Sequence, residues 1–94
     1  MDLSALSAEV LTPFVGSTFA TEAAELTLVE SSPLTCPPHV AGRRQPFRLQ
    51  FSGAAPLLPQ GVHCLTHAAL EPLEIFLVPI GFSAERFTYE AIFN

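Results

Sequence analysis

The sequence predicts a mainly β fold, a small antiparallel barrel or sandwich of five to six strands with one short N-terminal helix. Apolar and polar residues alternate in several short segments, which is typical of strands with one buried face. Stretches rich in proline and glycine separate these segments. Only the start of the chain has the three- and four-residue apolar spacing of a helix. A chain of 94 residues has the length of one domain, so we expect a single domain over residues 1–94.

The N-terminal helix is predicted from a stripe of four apolar residues, namely Leu3, Leu6, Val10 and Phe14. Either Ser4 or Ser7 is suited to cap its N-terminus, and Gly16 is suited to end it. We expect this helix to close over one end of the core.

The strands are predicted in order from period-two alternation, at residues 24–30, 47–51, 62–67, 73–78 and 87–93, with a short strand at 18–21. The segment 73–78 is apolar on both faces, which favours a central strand. Proline and glycine mark residues 31–45 and 53–61 as long connections, and shorter turns are expected at 68–72 and 81–86.

Composition excludes several classes of function. Hydrophobic residues make up 49% of the chain, so it is rich enough in apolar surface to fold. The chain has no lysine and a net charge of −5, so phosphate backbones and anionic lipids would repel it. We therefore expect neither a nucleic-acid nor a membrane partner. The first ten residues lack the features of a secretory signal, so we expect a cytoplasmic protein with free thiols.

Two Cys-x-x-His pairs raise the question of a zinc site, because Cys36, His39, Cys64 and His67 together have the donor types of structural zinc. However, Cys64 and His67 fall in a predicted strand, where residues three apart point to opposite faces. We expect no metal and no cofactor, and we interpret His67 as a structural residue that ends its strand. A small metal- or ligand-binding barrel using these four residues remains the alternative.

No catalytic residues are predicted. The sequence has no nucleophile motif, no phosphate-binding glycine loop and no zinc-protease motif. His63 precedes Cys64 directly, so on a strand the two side chains diverge and the imidazole is badly placed to activate the thiol. We therefore expect a non-enzymatic protein.

The connection at 53–61 contains adjacent leucines, Leu57 and Leu58, between Pro56 and Pro59. Two apolar side chains on a stiff loop are typical of a contact site. We predict that Leu57 and Leu58 bind a protein partner or a second copy of the chain, unless one or both fold back onto the core.

Four segments, PFRLQFSG (46–53), LPQGVHCLTHAAL (58–70), LEIFLVPIG (73–81) and YEAIFN (89–94), carry a resemblance that covers nearly the whole chain. In this order the chain resembles an uncharacterised bacterial family, a domain of unknown function with the pattern PFxLxFxG, LPQG, LFLVPIG and YEAVFN. Gln60, Gly61, His67 and Tyr89 match that pattern, whereas Cys36, His63 and Cys64 depart from it. The family has no established activity. The resemblance implies an association with phage-tail-collar-like genes, and hence a module that acts by protein binding or assembly in a phage-tail-like or related structure.

Overall fold

The computed structural model describes residues 6–34 and 46–93. Helix α1 (Ala8–Leu11) is followed by a 3-10 turn (Thr12–Phe14) and by six strands: β1 (Thr18–Ala20), β2 (Glu25–Pro33), β3 (Phe47–Gly53), β4 (Gly61–His67), β5 (Leu70–Ser83) and β6 (Arg86–Phe93). All strand pairs are antiparallel, and the order β1-β2-β3-β6-β5-β4 closes into a ring. The predicted fold class is therefore confirmed. In the described ranges, no helix has the length and apolar content that a bilayer crossing requires.

The core lies inside the ring and follows the alternation of the strands. In β3 every second residue from Phe47 to Gly53 is buried, as the period-two pattern predicted. Tyr89, Ala91 and Phe93 of β6 also point inward. The other buried apolar residues are Leu6, Ala8, Leu11, Phe19, Leu26, Leu28, Leu58, Leu65, Leu73, Ile75 and Leu77.

The helix is shorter than predicted, and its buried face differs from the predicted stripe. Ser7 is the N-cap and its side chain accepts a hydrogen bond from the Val10 N–H at 3.2 Å. Leu6 and Leu11 are buried, whereas Val10 is exposed. Pro13 enters the 3-10 turn directly after the first helical turn, so the predicted stripe has no continuous helix to follow. Leu3 lies outside the described residues.

Strand β5 differs most from its prediction. It runs for 14 residues, because the turns on either side shrink to Ala68–Ala69 and Ala84–Glu85. β5 pairs with β4 on one edge and with β6 on the other, as a central strand does. Its inner face is buried, whereas Phe76 on its outer face is exposed, so an apolar outer face does not by itself indicate burial.

The ring is closed most weakly between β1 and β4. A single residue pair, Ala20 with Thr66, joins these two strands. Side chains supplement this pair: the Thr66 hydroxyl donates to the Ala20 carbonyl at 3.4 Å, and the His67 ring contacts Ser17 Oγ at 3.1 Å.

Candidate functional site

Exposed apolar side chains lie on three adjacent strands of the ring: Val62 on β4, Phe76 on β5 and Ile92 on β6, which we call the apolar row. Val29 on β2 and Ile80 and Phe82 further along β5 are also exposed. Val62 and Phe76 are direct cross-strand partners. Ile92 lies on the same outer face, two residues beyond Glu90, whose cross-strand partner on β5 is Val78. The three side chains are 64%, 51% and 46% exposed. Exposed apolar side chains that share one face of a sheet mark an interaction site in many soluble proteins.

Charged residues border the apolar row. Arg48 on β3 is the cross-strand partner of Ile92, and its guanidinium forms ion pairs with Glu30 and with Glu90. A hydrogen bond from Ser32 and the pairing with Arg48 hold the pKa of the Glu30 carboxyl below its usual value. On the opposite side, the exposed Glu74 lies two residues from Phe76 on β5 and pairs with Cys64. The row is thus an apolar strip with acidic groups near both ends.

A second feature is a buried histidine that joins three segments of the chain, which we call the His63 clasp. His63 is only 6% exposed and belongs to the inner face of β4. Its Nδ1 lies 2.6 Å from Oε1 of Glu22, in the turn between β1 and β2, and its Nε2 lies 2.7 Å from the carbonyl oxygen of Pro59. Both partners are acceptors, so the ring makes both hydrogen bonds as a donor only when it is protonated.

The clasp shifts the ionisation of both its members. Burial lowers the pKa of His63, but the hydrogen bonds to the Pro59 carbonyl and to Glu22, with the carboxylate charge, outweigh burial and raise it above 6.5. A backbone hydrogen bond in its own turn and the hydrogen bond from His63 lower the pKa of Glu22 below 4.5. The favoured form is therefore an imidazolium paired with a carboxylate.

The loop between β3 and β4 places its two leucines in different environments. Leu58 is 2% exposed and packs in the core, and its backbone N–H donates a hydrogen bond to the Tyr89 hydroxyl at 2.9 Å. Leu57 is 49% exposed. The prediction of an exposed pair is therefore wrong for Leu58, because this side chain folds back and fills the end of the core. Leu57 keeps the exposure that a contact residue needs.

His67 ends β4 at a corner where it contacts both rings and backbone. Its ring packs against Phe14 and Phe19, with centroid distances of 5.1 Å and 4.9 Å. The Ala69 N–H donates to Nδ1 at 3.0 Å, so Nε2 carries the proton and donates to Ser17 Oγ. The Ser17 hydroxyl in turn donates to the Phe14 carbonyl at 2.6 Å. These contacts are those of the structural residue that the sequence predicted.

The four proposed zinc ligands do not form a site in the described part of the chain. Cys64 is exposed on the outer face, opposite Glu74, whereas His67 packs against the core residue Phe19. Cys36 and His39 lie outside the described residues. Within 6–34 and 46–93, no three His, Cys, Asp or Glu side chains come together in a way that suits a metal ion.

Sequence reasoning missed the His63 clasp. The alternation that placed Leu65 on the inner face of β4 also places His63 there, two residues earlier. A buried histidine requires hydrogen-bond partners, so the position of His63 on the inner face could have indicated a buried polar contact. The sequence did not indicate which carboxylate would meet it, since Glu22 lies 41 residues away along the chain.

Comparisons with known proteins agree with the sequence pattern at the level of the family. No curated protein and no solved structure matches the chain. The model of one family, DUF6916, described as a domain of unknown function, matches residues 6–93. This match covers nearly the whole chain and includes all six strands of the ring. The chain therefore belongs to the DUF6916 family.

Proposed function

We propose that this domain is a non-enzymatic module that binds another protein through the apolar row. The observation that carries the proposal is the exposure of the cross-strand pair Val62 and Phe76, with Ile92 exposed on the same outer face of the next strand. Strand pairing fixes their relative positions, so little conformational entropy is lost when a partner covers them. The outward positions of β3 and β6 next to Ile92 are polar, at Arg48, Gln50 and Glu90.

Charge favours a different protein over a second copy as the partner. The chain carries a net charge of −5, so two copies would repel each other. Glu74 lies beside the row, and Glu90 lies near its other end. A partner with an apolar centre and basic residues around it complements both features. Leu57, exposed on the loop before β4, is a further candidate contact of the same partner.

We extend the proposal to a role in a phage-tail-like or related assembly of the bacterial cytoplasm. Support for this step comes from the sequence pattern alone, in particular LEIFLVPIG and YEAIFN. Phe76 lies in the first of these segments and Ile92 in the second, so the segments that carry the resemblance also carry two residues of the apolar row. The alternative, a metal- or ligand-binding barrel that uses Cys36, His39, Cys64 and His67, has less support because Cys64 and His67 lie in different environments.

The test compares capture of partners from cells that encode the protein by the wild type and by two variants. The double variant Val62→Ser with Phe76→Ser removes two of the three side chains of the row. The control Phe82→Ser removes an equally large exposed ring, 62% exposed, from the far end of β5, where it contacts the ring of Phe87. We expect a protein that binds the wild type and the control but not the double variant, and that binds again when both components are purified.

Light scattering on the purified protein distinguishes the two kinds of partner. A monomeric wild type that binds the captured protein supports the proposal. A wild-type dimer that the double variant abolishes would show that the row joins two copies, against the proposed partner. Equal capture by the wild type, the double variant and the control would show that the apolar row does not bind the partner.

A further inference from the structure

A polar groove runs over β1 and β2 and is distinct from the apolar row on β4, β5 and β6. It consists of two clefts, of about 370 Å³ and 430 Å³, which share Thr18 and Glu25. The first cleft extends to Arg86 and the second to His67. The remaining lining residues are small: Ala20, Ala24, Thr27, Ala54, Ala55, Thr66 and Ala68. Short side chains leave room for a ligand, and each cleft has the volume of a small-molecule site.

Arg86 is held in position at one end of the groove. Its Nε donates to Ser52 Oγ at 2.7 Å and its Nη2 donates to the Ser52 carbonyl at 2.9 Å. These two hydrogen bonds fix the plane of the guanidinium, and Arg86 lines the first cleft. Within the described residues, Nη1 has no hydrogen-bond partner. A guanidinium that is already oriented loses little entropy when it binds a carboxylate.

Glu25 supplies the opposite charge where the two clefts meet. Among the residues that the structure describes, neither Glu25 nor Arg86 forms an ion pair, whereas Arg48 pairs with two carboxylates. Glu25 lies two residues from Thr27 along β2, and Thr27 is the cross-strand partner of Ser52, which holds Arg86. Both charged residues line the first cleft, and in the part of the chain that the structure describes no ion pair joins them.

We propose that this groove binds a ligand that carries a carboxylate and an ammonium group several ångströms apart, the chemistry of a lysine with a free carboxyl end. The carboxylate binds the guanidinium of Arg86 and the ammonium binds Glu25. The hydroxyls of Thr18 and Thr27 lie between them and are able to bond the polar groups in the middle of the ligand. Two sources share this chemistry, free lysine and the C-terminal lysine of a protein, and the experiment distinguishes them.

The experiment follows the backbone amide signals of the isotope-labelled protein by NMR during titration with Nα-acetyl-L-lysine, which has both charges. The matched probes are Nα-acetyl-L-lysinamide, which lacks the carboxylate, and Nα-acetyl-L-norleucine, which lacks the ammonium. We expect signals from Thr18, Glu25 and Ala54 to shift with the first probe. Each matched probe should bind about tenfold or more weakly, the effect of losing one charge-assisted hydrogen bond. Free L-lysine binding more tightly than the acetylated form assigns the groove to the amino acid, and equal or weaker binding assigns it to a protein end.

Variants locate the two charges. Glu25→Gln and Arg86→Gln should each weaken binding of Nα-acetyl-L-lysine by about tenfold or more, whereas Glu74→Gln, an exposed carboxylate outside the groove, should leave it unchanged. Glu25 and Arg86 are exposed, so we expect their variants to fold. An unchanged pattern of amide signals away from the groove checks this for each variant. The proposal is overturned if no signal shifts at millimolar concentrations of the probe. It is equally overturned if all three acetylated probes bind alike, or if Glu74→Gln weakens binding as much as Glu25→Gln.

Discussion

His63 Nδ1 lies 2.6 Å from Glu22 Oε1, and this contact ties β4 to the turn between β1 and β2, next to the place where the ring is closed by only one residue pair. The other ring nitrogen holds the Pro59 carbonyl of the loop that precedes β4. One side chain therefore stabilises both the closure of the ring between β1 and β4 and the loop that precedes β4. Because the ring must be protonated to donate both hydrogen bonds, the strength of this attachment depends on pH.

The stability of the domain should decrease at alkaline pH through His63. Folding raises the pKa of this residue above 6.5, so its contribution is fully present below pH 6.5 and is lost as the pH rises through the raised value. Glu22 acts in the opposite sense: its pKa is lowered, so its contribution is present above pH 4.5 and is lost as the pH falls through the lowered value. The clasp is complete between these two limits.

The measurement is the free energy of unfolding in urea of the wild type and of His63→Gln, from about pH 5.5 to about pH 9, a range that covers the titration of histidine. The difference between them should be largest at the acidic end, at about 1–3 kcal/mol, the effect of leaving buried partners unpaired. It should shrink as the wild-type ring loses its proton. Glu22→Gln should move that decrease to lower pH. A difference that stays constant over the whole range would contradict the prediction.

The two loop leucines should respond very differently to the same substitution. Leu58→Asp places a carboxylate in the core beside Tyr89, so we expect an unfolded or insoluble protein. Leu57→Asp changes an exposed side chain, and its effect on the free energy of unfolding should stay within about 0.5 kcal/mol. Circular dichroism during urea unfolding measures both variants. Similar destabilisation by the two would show that Leu57 also packs against the core.

The alternation of the sequence was sufficient to predict the sheet, because one buried face imposes a period of two on every strand. Phe47, Leu49 and Phe51 illustrate this: each is at most 1% exposed, and each alternates with a polar residue. The N-terminal stripe did not predict which side chains of the helix are buried. The helix is a single turn, and one turn is too short for a period of 3.6 residues to determine the buried face.

The contacts of the site could not be predicted in the same way. Alternation assigns His63 and Phe76 to faces, but it does not indicate which strand lies opposite or whether a face is covered. The apolar segment 73–78 predicted a central strand, and β5 does lie between β4 and β6, but the pattern did not indicate that Phe76 would be exposed. Likewise, Leu58 packs inward because the Tyr89 hydroxyl, 31 residues away, accepts its N–H. Such long-range pairings become visible only with the register of the strands.

Gly53 should be intolerant of a side chain because of the strand that it faces. A Cβ at this position would lie 2.5 Å from Cδ2 of Leu26 and 3.2 Å from the carbonyl oxygen of Glu25. Leu26 is fully buried and has no space into which to move, so Gly53→Ala should cost about 1–3 kcal/mol, as other overpacked cores do. Gly81→Ala is the control, since a Cβ there meets open space. Chemical denaturation measures the free energy of unfolding of both variants. Equal values would show that the backbone at Gly53 shifts enough to accommodate a Cβ.

The C-terminal strand should be indispensable, because β6 joins the two halves of the ring. Its residues pair with β3 from Phe87 to Phe93 and with β5 from Arg86 to Glu90. A variant that ends at Thr88 loses the buried Tyr89 and the stack of Phe93 on Phe47, whose ring centroids lie 4.6 Å apart. One buried aromatic side chain contributes about 3–5 kcal/mol, and the whole stability of a small domain is about 5–15 kcal/mol.

We therefore expect the shortened chain to be unfolded, with poorly dispersed amide signals by NMR. A variant ending at Phe93 should keep the wild-type spectrum. A well-dispersed spectrum from the chain that ends at Thr88 would show that β3 and β5 hold the ring together without β6.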